Sequence, residues 1–505
     1  MSEQISEAPS PPRSSPGRLR KLLGSVVADR RPLRIPAFRR LWVTSIVTAL
    51  GSQITAVAVP KQIYDITGSS AYVGLTGLFG LVPLLVFGLW GGAIADTVDR
   101  RVLLIVTNVG IAVTAVLLWA QAFAELGSVW LVLGLLSVNQ AFFAINMPTR
   151  QAVVARVVPE HLLASAAALT STVTTFGAVF GPMAAGALLP VVGLSTLYLV
   201  DTAALIAVLW AVWRLPALPP LSGQIRSAGI RDVIAGFRYL GTQKVLLASF
   251  VVDIIAMVAG MPRALFPELA ERTFGDPPGG GFALGWLFAA IPLGAMVIGV
   301  MSGWAHRVSR QGVAVVVAII AWGLAMVGFG LSQSLWLAVV FLALGGAADM
   351  VSAIFRQAIL QTAATDEMRG RMQGAFTVVV AGGPRLADLS HGWAAAAVGT
   401  TMATSGGGLL VVVGVVVAAI LLPAFWRYRA PTEAVATQTA RAPKTPEDVD
   451  RSEGTSGTTE VVEVVTEGAV TSGSTEVGQT GKAGRSSGAP RSGGGESTGS
   501  TVSGE

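Results

Sequence analysis

The sequence predicts an all-α polytopic membrane protein, with twelve transmembrane helices arranged as two six-helix repeats. Only 13% of the 505 residues are charged and 52% are hydrophobic, whereas about 25% of a soluble domain is charged. Apolar runs of about 20 residues recur along the chain. A helix of this length crosses a hydrocarbon core of about 30 Å. Short sequence motifs recur as well, at nearly constant separation. Together these observations indicate a helical bundle in a lipid bilayer.

Twelve apolar runs define the predicted helices, because the strands of a membrane barrel would instead be about ten residues of alternating polarity. Small residues inside the runs, such as the glycines of Gly74–Gly80, suit helices that pack closely. The predicted spans are 39–60, 71–95, 102–124, 128–149, 162–189, 193–213, 245–265, 281–303, 312–331, 334–357, 371–398 and 404–426.

These spans divide the chain into five regions. A Pro-containing basic stretch separates spans six and seven, and its later part, Arg231–Arg238, is predicted as an amphipathic helix on the membrane surface. The tail is rich in Ser, Gly, Thr and Glu, which predicts disorder. The predicted regions are a basic N-terminal segment 1–38, a bundle 39–213, a linker 214–244, a bundle 245–426 and a tail 427–505.

The two bundles resemble each other in sequence. Arg150-Gln-Ala at the end of the fourth span recurs as Arg356-Gln-Ala at the end of the tenth, an offset of 206 residues. Ala95–Arg100, after the second span, parallels Ala305–Arg310, after the eighth, at an offset of 210 residues. Several matches in the same order predict a parallel repeat of two six-helix units.

Basic residues indicate the orientation of the chain. Nine Lys or Arg precede Trp42, and further basic residues follow in alternate connections between spans. By the positive-inside rule, both termini are predicted to be cytoplasmic in a multi-pass protein of the cell membrane. Because the first charges adjoin a transmembrane helix, we expect them to contact anionic lipid head groups rather than nucleic acid.

The segment Gly91-Gly92-Ala-Ile-Ala-Asp96-Thr-Val-Asp99-Arg100-Arg101 follows the second span. It resembles the signature loop of the major facilitator superfamily, in which Gly usually stands where this chain has Asp99. A carboxylate at Asp96 beside the N-terminus of the eleventh helix, paired with Arg100, would hold the two halves together on the cytoplasmic side. We therefore predict that Gly92, Asp96, Asp99, Arg100 and Arg101 form a gating motif. A solvated loop that only fixes topology is the alternative.

Further segments narrow the resemblance to the branch of the superfamily that contains the enterobactin exporter and related actinobacterial drug-efflux proteins. The resemblance covers roughly residues 33 to 428. The segments are Phe38–Trp42, Leu50–Thr55, Tyr64–Ser69, Asp349–Ser352 with Arg356-Gln357, and Gly382–Arg385 with Asp388. It implies export of a siderophore or amphiphilic drug in exchange for protons. We expect a monomer that needs no cofactor and is driven by a proton gradient.

Four polar residues lie well inside predicted spans, where ionisable groups usually face a cavity or a partner. They are Gln53, Asn139, Asp253 and Asp349. A carboxyl group in an apolar cavity can bind and release a proton, so Asp253 and Asp349 are the candidates for proton coupling. Gln53 and Asn139 are assigned to the substrate pathway. A structural ion pair or a helix cap is the alternative role for the two acids.

Other charged residues are assigned to the framework of the protein. Arg385 and Asp388 lie three apart after a predicted break at 382–384, which indicates a hinge or an ion pair between them. Arg150 and Arg356 lie near the cytoplasmic ends of their helices and are predicted to act in gating. Lys61, near the outer surface, is expected to snorkel toward water.

Other classes of membrane protein lack support in the sequence. There is no cysteine, and His161, His306 and His391 lie far apart, so neither an enzyme nor a metal site is indicated. Gly481-Lys482 lacks the glycine spacing of a phosphate loop, which argues against an ATP-driven permease. Proton-coupled uptake of a metabolite and a non-transporting sensor remain as alternatives to export.

Overall fold

A computed structural model describes residues 29–215, 218 and 230–429. For residues 89, 91–93, 95–97, 230–232 and 366, it describes the backbone alone. The chain forms two units, Met1–Arg441 and Ala442–Glu505, and every described residue lies in the first. Residues 430–505 of the predicted disordered tail and most of the basic N-terminal segment therefore lie outside the described residues.

The first half consists of five long helices. They are α1 (Pro36–Thr67), α2 (Ser70–Thr97), α3 (Arg100–Phe123), α4 (Val129–Val157) and α5 (Leu163–Trp213). Helix α5 covers the predicted fifth and sixth spans, and it breaks at Gly193, where φ is 77° and ψ is 167°. This left-handed φ favours glycine. The chain thus reverses at Gly193 almost without a loop, between the segments α5a (163–192) and α5b (194–213).

The second half contains nine helices among the described residues. They are α6 (Ile230–Thr242), α7 (Lys244–Gly260), α8 (Phe266–Arg272), α9 (Phe282–Val300), α10 (Gln311–Leu331), α11 (Leu335–Ala363), α12 (Asp366–Val398), α13 (Thr400–Leu421) and α14 (Pro423–Trp426). Four short 3₁₀ turns, Arg31–Arg34, Glu160–Leu162, Arg263–Leu265 and Ser302–Arg307, complete the helical structure.

The seventh span differs from its prediction. A continuous helix was predicted over 245–265, but α7 ends at Gly260 and is followed by the Arg263–Leu265 turn and then by α8. Pro262 explains the interruption, because proline has no N–H to donate and disfavours a helical conformation at the preceding residue. The short helix α8 thereby leaves the axis of α7.

Ten helical segments within the described residues are long and apolar enough to cross a membrane. One of them, Glu160–Trp213, contains both segments of α5 and accounts for two crossings. Helix α12 is not among the ten, although its 33 residues are ample for a crossing, because it carries charged residues such as Arg385 and Asp388. With α12 and both segments of α5, the bundle has the twelve predicted crossings.

Exposed tryptophans lie near the ends of the helices. At one end of the bundle they include Trp130, Trp336 and Trp393, and at the other end Trp213 and Trp426. Tryptophan favours the boundary between membrane and water. The positions of these side chains agree with an apolar belt around the bundle.

The first and last described residues define the ends of the bundle. The end that holds residues 29 and 429, here called the terminal end, also holds the connections at 98–99, 158–162, 301–310 and 364–365, together with the described linker residues 214–215, 218 and 230–243. The opposite, distal end holds the connections at 68–69, 124–128, 261–281 and 332–334, together with Gly193 and Gly399.

The two halves meet along two pairs of helices, α2 with α12 and α5 with α9. Glycines bring the backbones into contact there. A Cβ atom at Gly186 in α5 would lie 2.6 Å from Cα of Gly285 in α9, and one at Gly74 in α2 would lie 2.7 Å from the carbonyl oxygen of Asp388 in α12. Both contacts lie toward the distal end. The halves are therefore closely packed there, in the manner of small-residue contacts between membrane helices.

Candidate functional site

A cavity of about 330 Å³ lies between the two halves. Most of its wall comes from the first half, with α1, α2, α3, α4 and α5b contributing, and a smaller part comes from the second half. Its polar wall is formed by Thr48, Ser52, Gln53, Thr55, Thr76, Asn108, Asn139, Gln140, Asn146, Arg150, Asp201, Arg263, Arg385 and Asp388. Apolar residues such as Val59, Ile111, Leu136, Phe143 and Phe288 complete it. A wall of this mixture suits a small molecule that has both polar and apolar parts.

Gln53 and Asn139, which the sequence assigned to the substrate pathway, both line this cavity. The amide of Asn139 in α4 donates a hydrogen bond of 2.8 Å to Thr114 in α3. Two turns away, Asn146 donates a bond of the same length to Thr107. The seven-residue spacing on both helices forms a polar ladder that fixes α4 against α3, since interhelical hydrogen bonds stabilise membrane bundles.

Arg150 lies on the cavity wall near the terminal end of α4. Its Nη2 donates to the carbonyl oxygen of Leu41, at 2.8 Å, and to the hydroxyl of Ser45 in α1. Both partners belong to the first half, so the contacts tie α4 to α1. The gating role predicted for Arg150 stays a prediction.

Arg356 occupies the position equivalent to Arg150 in the repeat, but it has acidic partners. Its Nη1 contacts Oδ1 of Asp253 in α7, and its Nη2 lies 3.5 Å from Oδ1 of Asp349 in α11. The side chains of Arg356 and Asp253 are only 3% and 2% exposed, whereas that of Asp349 is 37% exposed. Buried charges of this kind need partners. The two acids predicted to couple protons thus share one guanidinium, which the sequence had assigned to gating.

Ion pairs connect the halves at the distal end. Lys61 in α1 is 1% exposed and contacts Asp65 of the same helix and, at 3.0 Å, Glu271 in α8. The expectation that Lys61 reaches toward water is therefore wrong, because two carboxylates surround its ammonium group. Ser70 at the start of α2 donates a 2.5 Å hydrogen bond to Glu268, also in α8. The short helix α8 thus holds both α1 and α2.

Asp388 provides a further link between charged residues of the second half. Its Oδ2 lies 3.7 Å from Nη2 of Arg263, in the turn before α8. A pair with Arg385 had been predicted, but the guanidinium of Arg385 instead packs against α2, where a Cβ atom at Gly80 would lie 2.4 Å from its Nη1. Both Arg385 and Asp388 line the cavity.

The predicted break at Gly382-Gly-Pro384 does not interrupt the helix, since α12 is continuous from Asp366 to Val398. Neighbouring helices hold this turn in place. A Cβ atom at Gly382 would lie 3.3 Å from Leu81 of α2, and one at Gly383 would lie 2.7 Å from the sulfur of Met257 in α7. Membrane helices tolerate proline where such neighbours support the backbone.

The predicted gating motif spans the end of α2 and the start of α3. The side chains of Gly92 and Asp96, and so the predicted contacts of Asp96, lie outside the described part of the structure. Asp99 forms the N-cap of α3, and its carboxylate accepts from the backbone N–H of Arg101 at 2.8 Å and from that of Leu218 at 3.2 Å. The N–H of Arg100 donates in return to the carbonyl oxygen of Leu218, at 3.2 Å.

Asp99 therefore attaches the linker to the first half, at the position where the signature loop that this segment resembles usually has glycine. Arg101 adds a second contact, since its Nη2 donates to the carbonyl oxygen of Trp213 at 2.6 Å and so caps the end of α5. A carboxylate at a helix N-terminus and an arginine at a helix C-terminus are both favourable arrangements.

Asp201 in α5b is a cavity residue that the sequence analysis missed. Its side chain is largely buried, at 7% exposure, and its Oδ2 accepts a 2.6 Å hydrogen bond from the hydroxyl of Thr55 in α1. The signal was available, because Asp201 is the single charged residue in the predicted span 193–213. The reasoning that selected Asp253 and Asp349 applies equally to this position.

Comparison with known proteins agrees with this architecture. Among solved structures, the fold is similar to that of the nucleoside transporter NupG (12% identity, 77% of this chain and 98% of that chain, TM-score 0.60). It is also similar to a bacterial homolog of the human lysosomal transporter Spinster (15% identity, 82% and 99%, TM-score 0.57). At these identities the likeness concerns the fold alone.

Proteins that are similar in sequence identify the family to which the chain belongs. The enterobactin exporter EntS of Shigella boydii serotype 18 is 32% identical over 353 residues, which cover 68% of this chain and 81% of that protein. The EntS protein of Escherichia coli O139:H28 is 31% identical over the same length. The pattern of the transmembrane secretion effector family matches residues 28–482. The chain therefore belongs to the transmembrane secretion effector family of major facilitator transporters.

Proposed function

We propose that this transporter exports a siderophore or an amphiphilic drug from the cytoplasm in exchange for protons, by alternating access. The observation that carries the proposal is the polar cavity between two halves whose described contacts gather toward the distal end. Similarity to enterobactin exporters supports the outward direction of transport.

The structure supports one particular state of that cycle. The cavity wall extends from Arg263 and Asp388 to Arg150 and Met147, which lie nearer the terminal end of their helix. The pairs Lys61 with Glu271 and Ser70 with Glu268 close the distal end. If both termini are cytoplasmic, as the positive-inside rule predicts, this is an inward-facing state, in which a cytoplasmic substrate reaches the cavity.

The chemistry of the cavity supports a substrate class. Amide and hydroxyl groups on α1, α3 and α4 offer hydrogen bonds, Arg150, Arg263 and Arg385 offer positive charge, and aromatic rings such as Phe143 and Phe288 offer apolar contact. A molecule with hydrogen-bond acceptors on an aromatic or aliphatic body fits this surface. Siderophores and amphiphilic drugs both meet that description.

Proton coupling is proposed to involve Asp253 and Asp349. Release of either carboxylate from Arg356 would allow the acid to take up a proton, and the ion pair would re-form when the proton leaves. Because α7 and α11 are joined by Arg356, a change in this pairing would alter the packing of the second half.

The substrate and direction can be tested together. Mass spectrometry of a strain that lacks this chain should show a compound retained inside the cells and depleted in the medium. In inside-out membrane vesicles, an acidic interior should then drive that compound, or enterobactin as a first probe, into the vesicles. Asn139→Leu should abolish this accumulation, whereas Gln333→Leu, in an exposed distal loop, should not.

Two results would contradict parts of this proposal. A compound depleted from the cells of the deletion strain, with accumulation only in right-side-out vesicles, would indicate uptake. A retained compound whose transport does not respond to a pH gradient would contradict proton exchange, although not export itself.

A further inference from the structure

The carboxylates inside the membrane-spanning bundle differ in their partners. Asp253 and Asp349 both contact Arg356, and Asp388 contacts Arg263. Asp201 instead accepts a hydrogen bond from the hydroxyl of Thr55, and no basic side chain lies within ion-pair distance of it among the residues the structure describes. Asp201 is thus a largely buried acid with a neutral partner.

The carboxylate of Asp201 is held at the wall of the cavity by close contact with α1. Its Oδ2 lies 2.6 Å from the hydroxyl of Thr55. Its Oδ1 lies against Gly51, where a Cβ atom would approach it to 2.1 Å. Because Asp201 and Thr55 both line the cavity, water or a solute in the cavity reaches the carboxyl group directly.

The charged and titratable groups around Asp201 lie on several elements. On α5b itself, Tyr198 is one turn toward the distal end, and on α1, Lys61 lies further in the same direction. Helix α3 carries Arg100 and Arg101, both at its terminal end, and α9 has no titratable side chain over Phe282–Val300. Across the cavity lie Arg150 of α4, Arg263, and Arg385 and Asp388 of α12. The nearby basic groups engage other partners: Lys61 binds Asp65 and Glu271, Arg150 binds Leu41 and Ser45, and Arg263 binds Asp388.

We propose that Asp201 is a proton-binding site of the substrate cavity, separate from the acids that share Arg356. This assignment depends on the proposed proton exchange and places one coupling group in the first half. A proton from the external solution binds a carboxylate oxygen when the distal end is open, and it returns to solution on the cytoplasmic side. No covalent bond other than O–H changes. Unlike Asp253, Asp201 takes its proton without first breaking an ion pair.

A direct test uses the proton itself as the probe. Infrared difference spectra of the purified full-length protein in lipid nanodiscs, recorded between acidic and alkaline buffer, should contain a protonated-carboxyl band that disappears in Asp201→Asn. Thr55→Val should displace that band, because it removes the hydroxyl that donates to the carboxylate, while Thr55→Ser should restore it. If Asp201→Asn does not fold, the Thr55 variants still report on the group. Identical spectra for the wild type and the folded variants would overturn the proposal.

A transport experiment separates this assignment from the proposed function. In proteoliposomes with enterobactin as the probe, a pH gradient should drive accumulation by the wild type, and Asp201→Asn should lose the response to the gradient but keep exchange of enterobactin. Full gradient-driven transport by Asp201→Asn would overturn the Asp201 site and leave the exporter intact. A wild type without any response would overturn proton exchange, and the infrared titration would still decide whether Asp201 binds a proton.

A third arm tests for a cationic ligand. Loss of binding of the cationic dye ethidium in Asp201→Asn, with gradient-driven enterobactin transport unchanged, would assign the carboxylate to cationic substrates and overturn its role as a proton site.

Discussion

Lys61 of α1 and Glu271 of α8 form an ion pair of 3.0 Å across the two halves of the transporter, with the lysine side chain almost fully buried. Asp65 shares the same ammonium group. In the second half, the ion-pair partner of α1 is therefore a short helix after a proline break rather than a long transmembrane helix.

We expect Lys61→Met to shift the population toward states that are open at the distal end. Removal of one partner from a buried charge pair costs about 2 kcal/mol or more, and this cost falls on the closed state. Because the chain contains no cysteine, spin labels can be attached at Leu126→Cys and Gln333→Cys in distal loops of the two halves. Double electron–electron resonance should then show longer distances in Lys61→Met.

Controls for the lysine test come from the same network. Glu271→Gln should produce a similar shift, and the double variant should be less than additive, since both changes remove the pair between Lys61 and Glu271. Arg31→Met, which removes an exposed pair with Asp29 at the terminal end, should leave the distances unchanged. Unaltered distances in both Lys61→Met and Glu271→Gln would show that this pair does not hold the distal end closed.

Arg356→Ala should strongly destabilise the protein. It leaves Asp253 and Asp349 without their shared guanidinium, and breaking a buried ion pair by removal of one partner costs roughly 3–5 kcal/mol. The melting temperature in detergent should fall well below that of Arg307→Ala, which changes an exposed arginine at the end of the 3₁₀ turn Ser302–Arg307.

The melting temperature should partly recover when the carboxylate that has lost its partner Arg356 is neutralised. The double variant Arg356→Ala with Asp253→Asn is expected to melt at a higher temperature than Arg356→Ala alone. Equal melting temperatures for the Arg356 and Arg307 single variants would show that the ion triad contributes little to stability.

Asp349→Asn should uncouple transport from the pH gradient if Asp349 carries a proton. Gradient-driven accumulation in proteoliposomes should be lost, while exchange of substrate already present on both sides survives. Asp253→Asn in the same vesicles tests the second acid of the triad. Full gradient-driven transport by both single variants and by the double variant would exclude this pair of acids from coupling.

Gly186→Leu should force α5 and α9 apart at the interface between the halves. A Cβ atom at position 186 would lie only 2.6 Å from Cα of Gly285. Overpacking of this kind costs roughly 1–3 kcal/mol. We expect longer distal distances by double electron–electron resonance and a lower melting temperature. Gly134→Leu is the matched control, because nothing lies within 4 Å of a Cβ atom at that position.

Much of the architecture could be predicted because length and polarity determine which segments cross a membrane. The twelve crossings and the small-residue contacts have local sequence signals, whereas the break at Pro262 was not predicted. The contacts of the candidate site were harder to predict from the sequence, because ion pairs depend on which helices become neighbours. Lys61 illustrates this limit: its charge suggested a surface position, and its burial follows from Asp65 one turn away and Glu271 on a distant segment.

Asp388 and Asp201 show two further limits of the sequence reasoning. Spacing along α12 suggested a pair between Asp388 and Arg385, but the turn after α7 brings Arg263 to Asp388 instead. Asp201 has a clear signal as an isolated acid in an apolar span, but its partner Thr55 lies 146 residues away in the sequence. A local pattern therefore identifies candidate groups, while tertiary packing decides their pairing.

The cap at Asp99 has a consequence for the evolution of the family. Its carboxylate accepts the N–H of Leu218 while the carbonyl oxygen of Leu218 accepts the N–H of Arg100, so the loop after α2 and the start of the linker recognise each other. A relative with glycine at this position lacks the carboxylate, so it cannot form the same hydrogen bond to the linker. Residue 99 and the linker residues near 218 should therefore have co-varied, and a linker grafted from a glycine-bearing relative should dock poorly on this transporter.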